Sequence, residues 1–369
     1  MQTRIVMLMD MDCFFAQCEE SRNPAIRGKP VVVCVFSGRS EESGAVSTAN
    51  YVARSFGVKS GMPIYSAKKK LENVDAVFLP VDEKYYEEIS EKAMNILRKY
   101  ADRFEQAGID EAFLDVTQRM NGHFQEAKQL AVSMKDEMKT QLKLTCSIGT
   151  GPNKLVAKIA ADENKPDGLT IIEPERVKEF LSPLNVGRLL GVGTKTRERM
   201  QNLGINTVHE LAEYDAQKLN DIFGKTMGIY FHNAALGKDD EPVEERREVE
   251  SFSRIATLKQ DSRDLGFIME TAERLCREIH STVVNEKMSF KTVSIIAILK
   301  DLSTHTRSKT LENPTNSLEV LNKSAKELFE KFFNETEGEA RRVGAKVSNL
   351  SREQTSQKQL TSFIPKSSG

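Results

Sequence analysis

Apolar and polar positions along the chain alternate with two periods, and the places where the period changes mark the elements. Residues 4–10 (RIVMLMD) are apolar and strand-like and run straight into carboxylates; residues 14–22 take a helical period. "KPVVVCVF" (29–36) predicts a buried strand, "SGRSEESGAVST" (37–48) a loop of small residues, and "ANYVARSFG" (49–57) a helix closed by Gly57. "MPIYSAKKKL" (62–71) predicts a helix with Pro63 in its first turn. A strand near 76–79 precedes a long amphipathic helix over 83–101. "FEQAGIDEAFLDV" (104–116) predicts two strands joined by a tight turn, followed by a helix over 122–141, a strand over 144–151, and a helix capped by Asn153.

Up to about residue 166 the pattern is therefore α+β, with carboxylates at strand ends. Residues 167–236 predict short helices separated by glycines, and "LLGVGTKTRERMQNLGI" (189–205) fits a helix-hairpin-helix. Its amides at Gly191 and Gly193 could hold a phosphate; an ordinary helix turn is the plainer alternative. "GKDDEPVEERREVE" (237–250) has the composition of a linker. Residues 251–350 predict strand, helix, strand, strand, helix, strand, and the final twenty residues lose all periodicity.

A chain of 369 residues is too long for one core and suggests two to four domains. With 39% hydrophobic and 29% charged residues it has the composition of a soluble globular protein. No apolar run reaches the roughly 18 residues of a membrane span. The strand-like start predicts no signal peptide, which makes cytoplasm the default. Five scattered cysteines form no C-x-x-C pair, which argues against zinc and disulfides. The net charge of −1 announces no polyanion, so any basic surface must be local. The strands predicted at 251–260, 289–300, 304–311 and 340–350 carry Arg254, Lys259, Lys291, Lys300, Arg307, Lys309, Arg341, Arg342 and Lys346 and no Asp or Glu. With helices on one face, such a sheet is expected to turn a basic face to a nucleic-acid backbone. An ordinary solvated face usually mixes both signs.

The candidate chemistry lies at the strand ends. Asp10 and Asp12 follow the first strand, and Asp110 and Glu111 share a turn about a hundred residues later. Three carboxylates gathered by folding repel one another. Hard oxygen ligands without His or Cys favour Mg²⁺, and two such ions roughly 4 Å apart support phosphoryl or nucleotidyl transfer. Tyr51 and Arg54, near Thr48, share one helix face, and Lys154 and Lys158 share another. Together they could clasp a triphosphate. A P-loop is a poor fit, because no Gly-Lys pair has the required spacing.

"MLMDMDCFFAQCEE", "KPVVVCVFSGRSEESGAVSTANYVARSFGVKSGMP", "GIDEAFLDV", "TCSIGTGPNKLVAKIAAD" with "NKPDG", and "LLGVGTKT" together resemble the Y-family DNA polymerases of the archaeal DinB type, from residue 1 to about 350. The resemblance implies an α+β right hand: a ferredoxin-like palm (1–13 and 80–166), small fingers (14–79), a helical thumb (167–236), a linker (237–247), a βαββαβ little finger (248–348) and a flexible tail (349–369). It implies Asp10, Asp110 and Glu111 as catalytic carboxylates holding two Mg²⁺ together with the Met11 carbonyl, and Phe15 as a steric gate against ribose. Asp12 matches a second acidic position of the motif and is not expected to be a ligand.

Met11, Cys13, Phe14, Phe15, Thr48, Tyr51, Arg54 and Lys158 fall at nucleotide-binding positions, with Phe14 better suited to the core and Cys13 standing where close relatives carry an aromatic residue. Primer-template DNA would be held by Gly191, Gly193, Arg254, Lys300, Arg307, Lys309, Arg341, Arg342 and Lys346. The small residues of 43–50 would lie over the new base pair and check its shape weakly, which implies error-prone lesion bypass, and no proofreading module is visible. In the tail, Gln357, Leu360, Phe363 and Ile364 resemble a peptide that binds a sliding clamp, with Ile364 where a second aromatic is commoner. A monomer is expected. Two other classes share some of these features: a palm-fold nucleotidyl cyclase, which needs no duplex, and a non-catalytic scaffold for DNA and clamp, which needs no carboxylates.

Overall fold

The computed structural model describes residues 3–245 and 249–352, which form two compact units. The expected clamp residues Gln357, Leu360, Phe363 and Ile364 lie outside the described residues. The first unit is built on a five-stranded sheet whose spatial order is Arg103–Gln106, Glu111–Asp115, Val6–Met11, Cys146–Gly151 and Leu169–Ile171. Val6–Met11 is buried along its whole length because both of its faces are covered. Met7, Met9 and Met11 point to one side, into a core shared with Tyr86, Ala93 and Leu97 of the helix Glu83–Arg98 and with Ala131 and Met134 of the helix Phe124–Leu142. Val6 and Leu8 point to the other, against Ala157 and Ala161 of the helix Lys154–Ala161.

Cross-strand register extends that second face in rows. Val6 lies between Asp115 and Gly151, Leu8 between Phe113 and Gly149, and Asp10 between Glu111 and Ser147. The first two rows hold a glycine because the helix passes directly over them. A Cβ on Gly149 would stand 2.1 Å from the Ala157 carbonyl oxygen, and one on Gly151 would stand 2.7 Å from Val156 Cγ1. The third row is polar, and it lies where Lys158 of the same helix comes down to the sheet.

Residues 37–48 are not wholly loop: Gly44–Ala49 form a strand in a three-stranded sheet with Val31–Phe36 and Val77–Pro80. Its small side chains left no apolar alternation to read. The expected linker is also more than a spacer. Val243 is fully buried with Val6, Leu8 and Phe113, and the Asn153 side chain donates to the Gly237 carbonyl at 2.7 Å, so residues 237–245 are pinned to the first unit.

The second unit joins Phe36–Gly44 to the described residues from 249 onward. It has the expected βαββαβ order: Ser251–Ser262, Leu265–Asn285, Met288–Leu299, Thr304–Thr315, Leu318–Glu335, Ala340–Arg352. Three of its strands outrun the expected ranges, and they take in Asp261 and Glu312. Its antiparallel sheet runs Thr304–Thr315, Met288–Leu299, Ala340–Arg352, Ser251–Ser262, with both helices on one side. All five cysteines are free. Among the described residues no helix is long and apolar enough to cross a membrane.

The tight crossing of helix over sheet gives a test. Gly149→Ala should destabilise the protein by about 3 kcal/mol, since the added methyl meets backbone that cannot step aside. Gly193→Ala, with nothing within 4 Å of the new methyl, should cost only the loss of a glycine N-cap, about 1 kcal/mol or less. Urea midpoints of the two variants decide it; equal midpoints would show that the helix can shift.

Candidate active site

The strand Val6–Met11 delivers Asp10 to the end of the sheet, directly opposite Glu111 on the neighbouring strand. Directly opposed residues share a face, so these two carboxylates are neighbours. Asp110 reaches the same place through the turn before its strand. The amides of Ala107 and Gly108 both donate to the Glu111 carbonyl, and the Met11 amide donates to the Asp110 carbonyl at 2.9 Å. A Cβ built on Gly108 would lie 3.1 Å from Glu111 Cγ and 3.4 Å from Asp110 Oδ1, so both acidic side chains lean over the same bare glycine. That is how two adjacent residues serve one site. Burial, and then the charges of Asp10 and Glu111, raise the Asp110 pKa above the ordinary carboxylate value.

Two lysines answer this concentration of negative charge. Lys158 pairs with Glu111 and lies 3.4 Å from Asp10 Oδ2. Lys165 sits 2.7 Å from Asp10 Oδ2 and 2.9 Å from Asp162. Burial works to lower both lysine pKa values, and the neighbouring carboxylates more than offset it, so both are raised. With ammonium groups on Asp10 and Glu111, no three carboxylates among the described residues close around a single metal position. The donor set nonetheless suits a hard divalent cation: acidic oxygens, an excess of negative charge that destabilises ionised Asp110, and no His or Cys among the donors.

Asp12 turns away from this cluster. It is 1% exposed and accepts from Thr145 Oγ1 at 2.9 Å, Ser147 Oγ at 2.8 Å and the Asp167 amide at 2.8 Å. Cys13 has a left-handed backbone (φ 39°) and precedes the helix Phe14–Arg22. Burial pushes its thiol up to about 12, against the charge of nearby Arg54. Phe14 is 2% exposed, so its ring is core and only its backbone is left for a ligand. Phe15 is partly open, and it stacks on Tyr86 with ring centroids 4.3 Å apart and planes 13° apart. The Tyr86 hydroxyl donates to Glu19 at 2.6 Å, and Arg22 grips both Glu19 oxygens. Thr48 stands on the strand Gly44–Ala49; Tyr51 and Arg54 share the helix Tyr51–Ser55, with the guanidinium 4.7 Å from the ring centre. Burial raises the Tyr51 pKa, as does the charge of Asp12, while Arg54 and Lys165 oppose them; these residues therefore feel one another across the site.

Comparison with known proteins decides the class. Family models described as the impB/mucB/samB family, its C-terminal domain, and the DNA polymerase-iota thumb domain match residues 9–162, 249–362 and 187–239. The chain is 48% identical to a DNA polymerase IV of Nitrosopumilus maritimus, over 99% of this chain and all of the other. It is 44% identical to a DNA polymerase IV of Methanosarcina acetivorans, over 95% of this chain and 97% of that one. Among solved structures, a Y-family DNA polymerase chimera superposes with a TM-score of 0.89 at 37% identity, covering 94% of this chain and 99% of that one. The chain belongs to the Y-family DNA polymerases. As such it is a translesion DNA-directed DNA polymerase, a nucleotidyltransferase dependent on a divalent metal. The cyclase and scaffold readings are not favoured.

Two expectations and one omission need correction within this Y-family frame. Lys154 is no phosphate clasp: it is 7% exposed, bonded to both Glu105 oxygens at 2.9 Å and lying 3.2 Å from Glu241. Lys165, which sequence reasoning passed over, holds the open position beside Asp10; its signal was the "NKPDG" segment, read only as part of a motif.

The third correction concerns the second unit's sheet, where the cations do not line one open face. Across the strands, Arg307, Ile295, Ala345 and Arg254 form one row, and Lys309, Val293, Val347 and Phe252 form another. Both rows share the helix-covered side with the buried core, and Lys309 is tied to Glu327 at 2.6 Å. The open side carries rows such as Ser308, Ser294, Lys346, Ser253 and Thr304, Ile298, Arg342, Thr257. It is a face of hydroxyls and isoleucines, with Arg342 and Lys346 among its cations. Arg341 falls at a bulge in the ladder, and Lys300, in the turn after its strand, lies 3.9 Å from Glu339. Gly191 has φ +78°, and Gly193 caps the helix Thr194–Asn202 with open space around it.

Proposed function

We propose that this polymerase joins a dNTP to a primer 3′-hydroxyl at the cluster of Asp10, Asp110 and Glu111, which together with the Met11 carbonyl would hold two Mg²⁺. The observation that carries the reading is the pairing of Asp10 with Glu111 across one sheet end, with Asp110 folded over the same glycine. When bound, the ions would acidify the attacking hydroxyl and neutralise charge on the departing pyrophosphate. The chain's own residues supply the rest. Lys158, Lys165 and Arg54, with the hydroxyls of Thr48 and Tyr51, meet the triphosphate oxygens, and the backbone of Cys13 and Phe14 offers amides at a helix start. Phe15, backed by Tyr86, takes the space a 2′-hydroxyl would need.

Template-primer DNA is gripped through its backbone by the amides around Gly191 and Gly193 and by the hydroxyl face bearing Arg342 and Lys346. Arg254, Lys300, Arg307, Lys309 and Arg341 stand at edges, turns and a bulge, where they add charge at its margin. Small residues over 43–50 leave base-pair shape weakly checked, which supports error-prone bypass without proofreading. Gln357, Leu360, Phe363 and Ile364 tether a monomer to a sliding clamp in the cytoplasm, a gain in effective concentration rather than in chemistry.

Asp110→Ala or Glu111→Ala should cut primer extension by about a thousandfold or more, with primer-template affinity nearly unchanged; extension at the normal rate in either variant would sink the site. Phe15→Ala should raise ribonucleotide incorporation relative to dNTP by about a hundredfold, and gel assays showing intact exclusion would return Phe15 to the core. Deleting 357–364 should remove stimulation by a sliding clamp and spare basal extension; stimulation that survives places the contact elsewhere.

A further inference from the structure

We propose that Asp12 is a positioning residue for the incoming triphosphate: its buried carboxylate fixes the loop Lys165–Gly168 and so aims the Lys165 ammonium. The inference rests on the active-site reading above and adds a residue that reading does not use. A carboxyl side chain with almost no exposure needs hydrogen bonds to remain buried, and Asp12 has three. Two come from the strand side, from Thr145 and Ser147. The third comes from the amide of Asp167, two residues beyond Lys165. Ser147 carries the tie one residue further, accepting from the Gly168 amide at 3.1 Å. From the other side, Lys135 pairs with the Asp167 carboxylate at 2.8 Å and donates to the Gly168 carbonyl at 3.0 Å.

The loop needs these ties. Asp167 has φ +55°, a left-handed conformation that aspartate tolerates better than most residues, and its amide and carboxylate are both held in it by Asp12 and Lys135. Released from Asp12, residues 165–168 would relax, and the one cation that reaches Asp10 from this side would move with them. A displacement of about 1 Å at a reacting centre costs as much as a hundredfold in rate.

The chemistry also says what Asp12 does not do. Both of its oxygens accept from the protein and the side chain is 1% exposed, which leaves it no approach to a metal. An amide at position 12 could keep its oxygen on Thr145 and Asp167 and turn its NH₂ toward the Ser147 oxygen. Shape would survive and charge would not.

The test measures dNTP binding without turnover, on a complex with Mg²⁺ and a dideoxy-terminated primer. Asp12→Ala should raise the dNTP Kd about tenfold, with the primer-template Kd unchanged. Asp12→Asn should recover most of the loss and keep the wild-type Mg²⁺ requirement for extension. Lys165→Ala should match Asp12→Ala, and the double variant should be no worse than either single one. Multiplying effects in the double variant would overturn the proposal. So would an Asp12→Asn enzyme as weak as Asp12→Ala with a shifted Mg²⁺ requirement, which would make Asp12 a ligand. If Asp12→Ala does not fold, Ser147→Ala serves: a rise of about threefold supports the tie, and an unchanged Kd removes it. Failure of the site reading looks different, because Lys165→Ala itself would then bind dNTP normally.

Discussion

Three carboxylates at one sheet end repel one another, and the first unit is arranged around that repulsion. Charges about 5 Å apart, at an effective dielectric constant of about 20, cost about 3 kcal/mol per pair. Register leaves Asp10 and Glu111 no means of parting, because the strands that carry them are paired along their length. The surroundings must therefore supply positive charge. Lys158 and Lys165 supply it in the structure, and burial raises the Asp110 pKa further. A site with that excess of negative charge favours a divalent cation over any neutral occupant.

The second unit solves a different problem with the same kind of sheet. Its helices bury rows of Ile, Val and Ala, and three of these rows reach the edge strand Thr304–Thr315 at Arg307, Lys309 and His305. Long basic side chains suit that place, since their methylene stems cover apolar surface while their heads reach water. Arg307 does so with its guanidinium 5.5 Å from the Phe332 ring centre. The other side is rich in serine and threonine, interspersed with Ile255, Ile296 and Ile298 and with Arg342 and Lys346.

Legibility followed locality. Strand alternation puts Asp10 in line with Val6 and Leu8, and a glycine before the Asp110–Glu111 turn signals a bend, so the carboxylates could be read from the chain. The Asn153 cap and the βαββαβ order were likewise local. What could not be read depended on partners far away in sequence. Lys154 looked like the twin of Lys158, one helical turn apart, until Glu105 was found beneath it. The basic strands carried the right charges, but which face each cation takes depends on pairing register, and a shift of one residue exchanges the faces. Gly44–Ala49 is too small-chained to announce a strand.

Asp10 and Asp12 set the limit of what a motif can say. They are two residues apart, identical in chemistry and on the same side by strand alternation, yet one is held by two lysine ammonium groups and the other by neutral hydrogen-bond donors. The strand ends at Met11, and beyond it the chain is free to turn Asp12 toward Thr145 and Ser147 while Asp10 stays fixed opposite Glu111. Ser147 belongs to both arrangements: its register places it beside Asp10, and its hydroxyl bonds Asp12. In the same file of positions the next residues are Gly149 and Gly151, where a serine side chain would collide with the helix that carries Lys158. The strand Cys146–Gly151 thus changes from glycine to serine where the helix stops covering it. That change lets one helix press close enough to place a lysine on Glu111 and still leaves a hydroxyl to hold the second aspartate out of the first one's way.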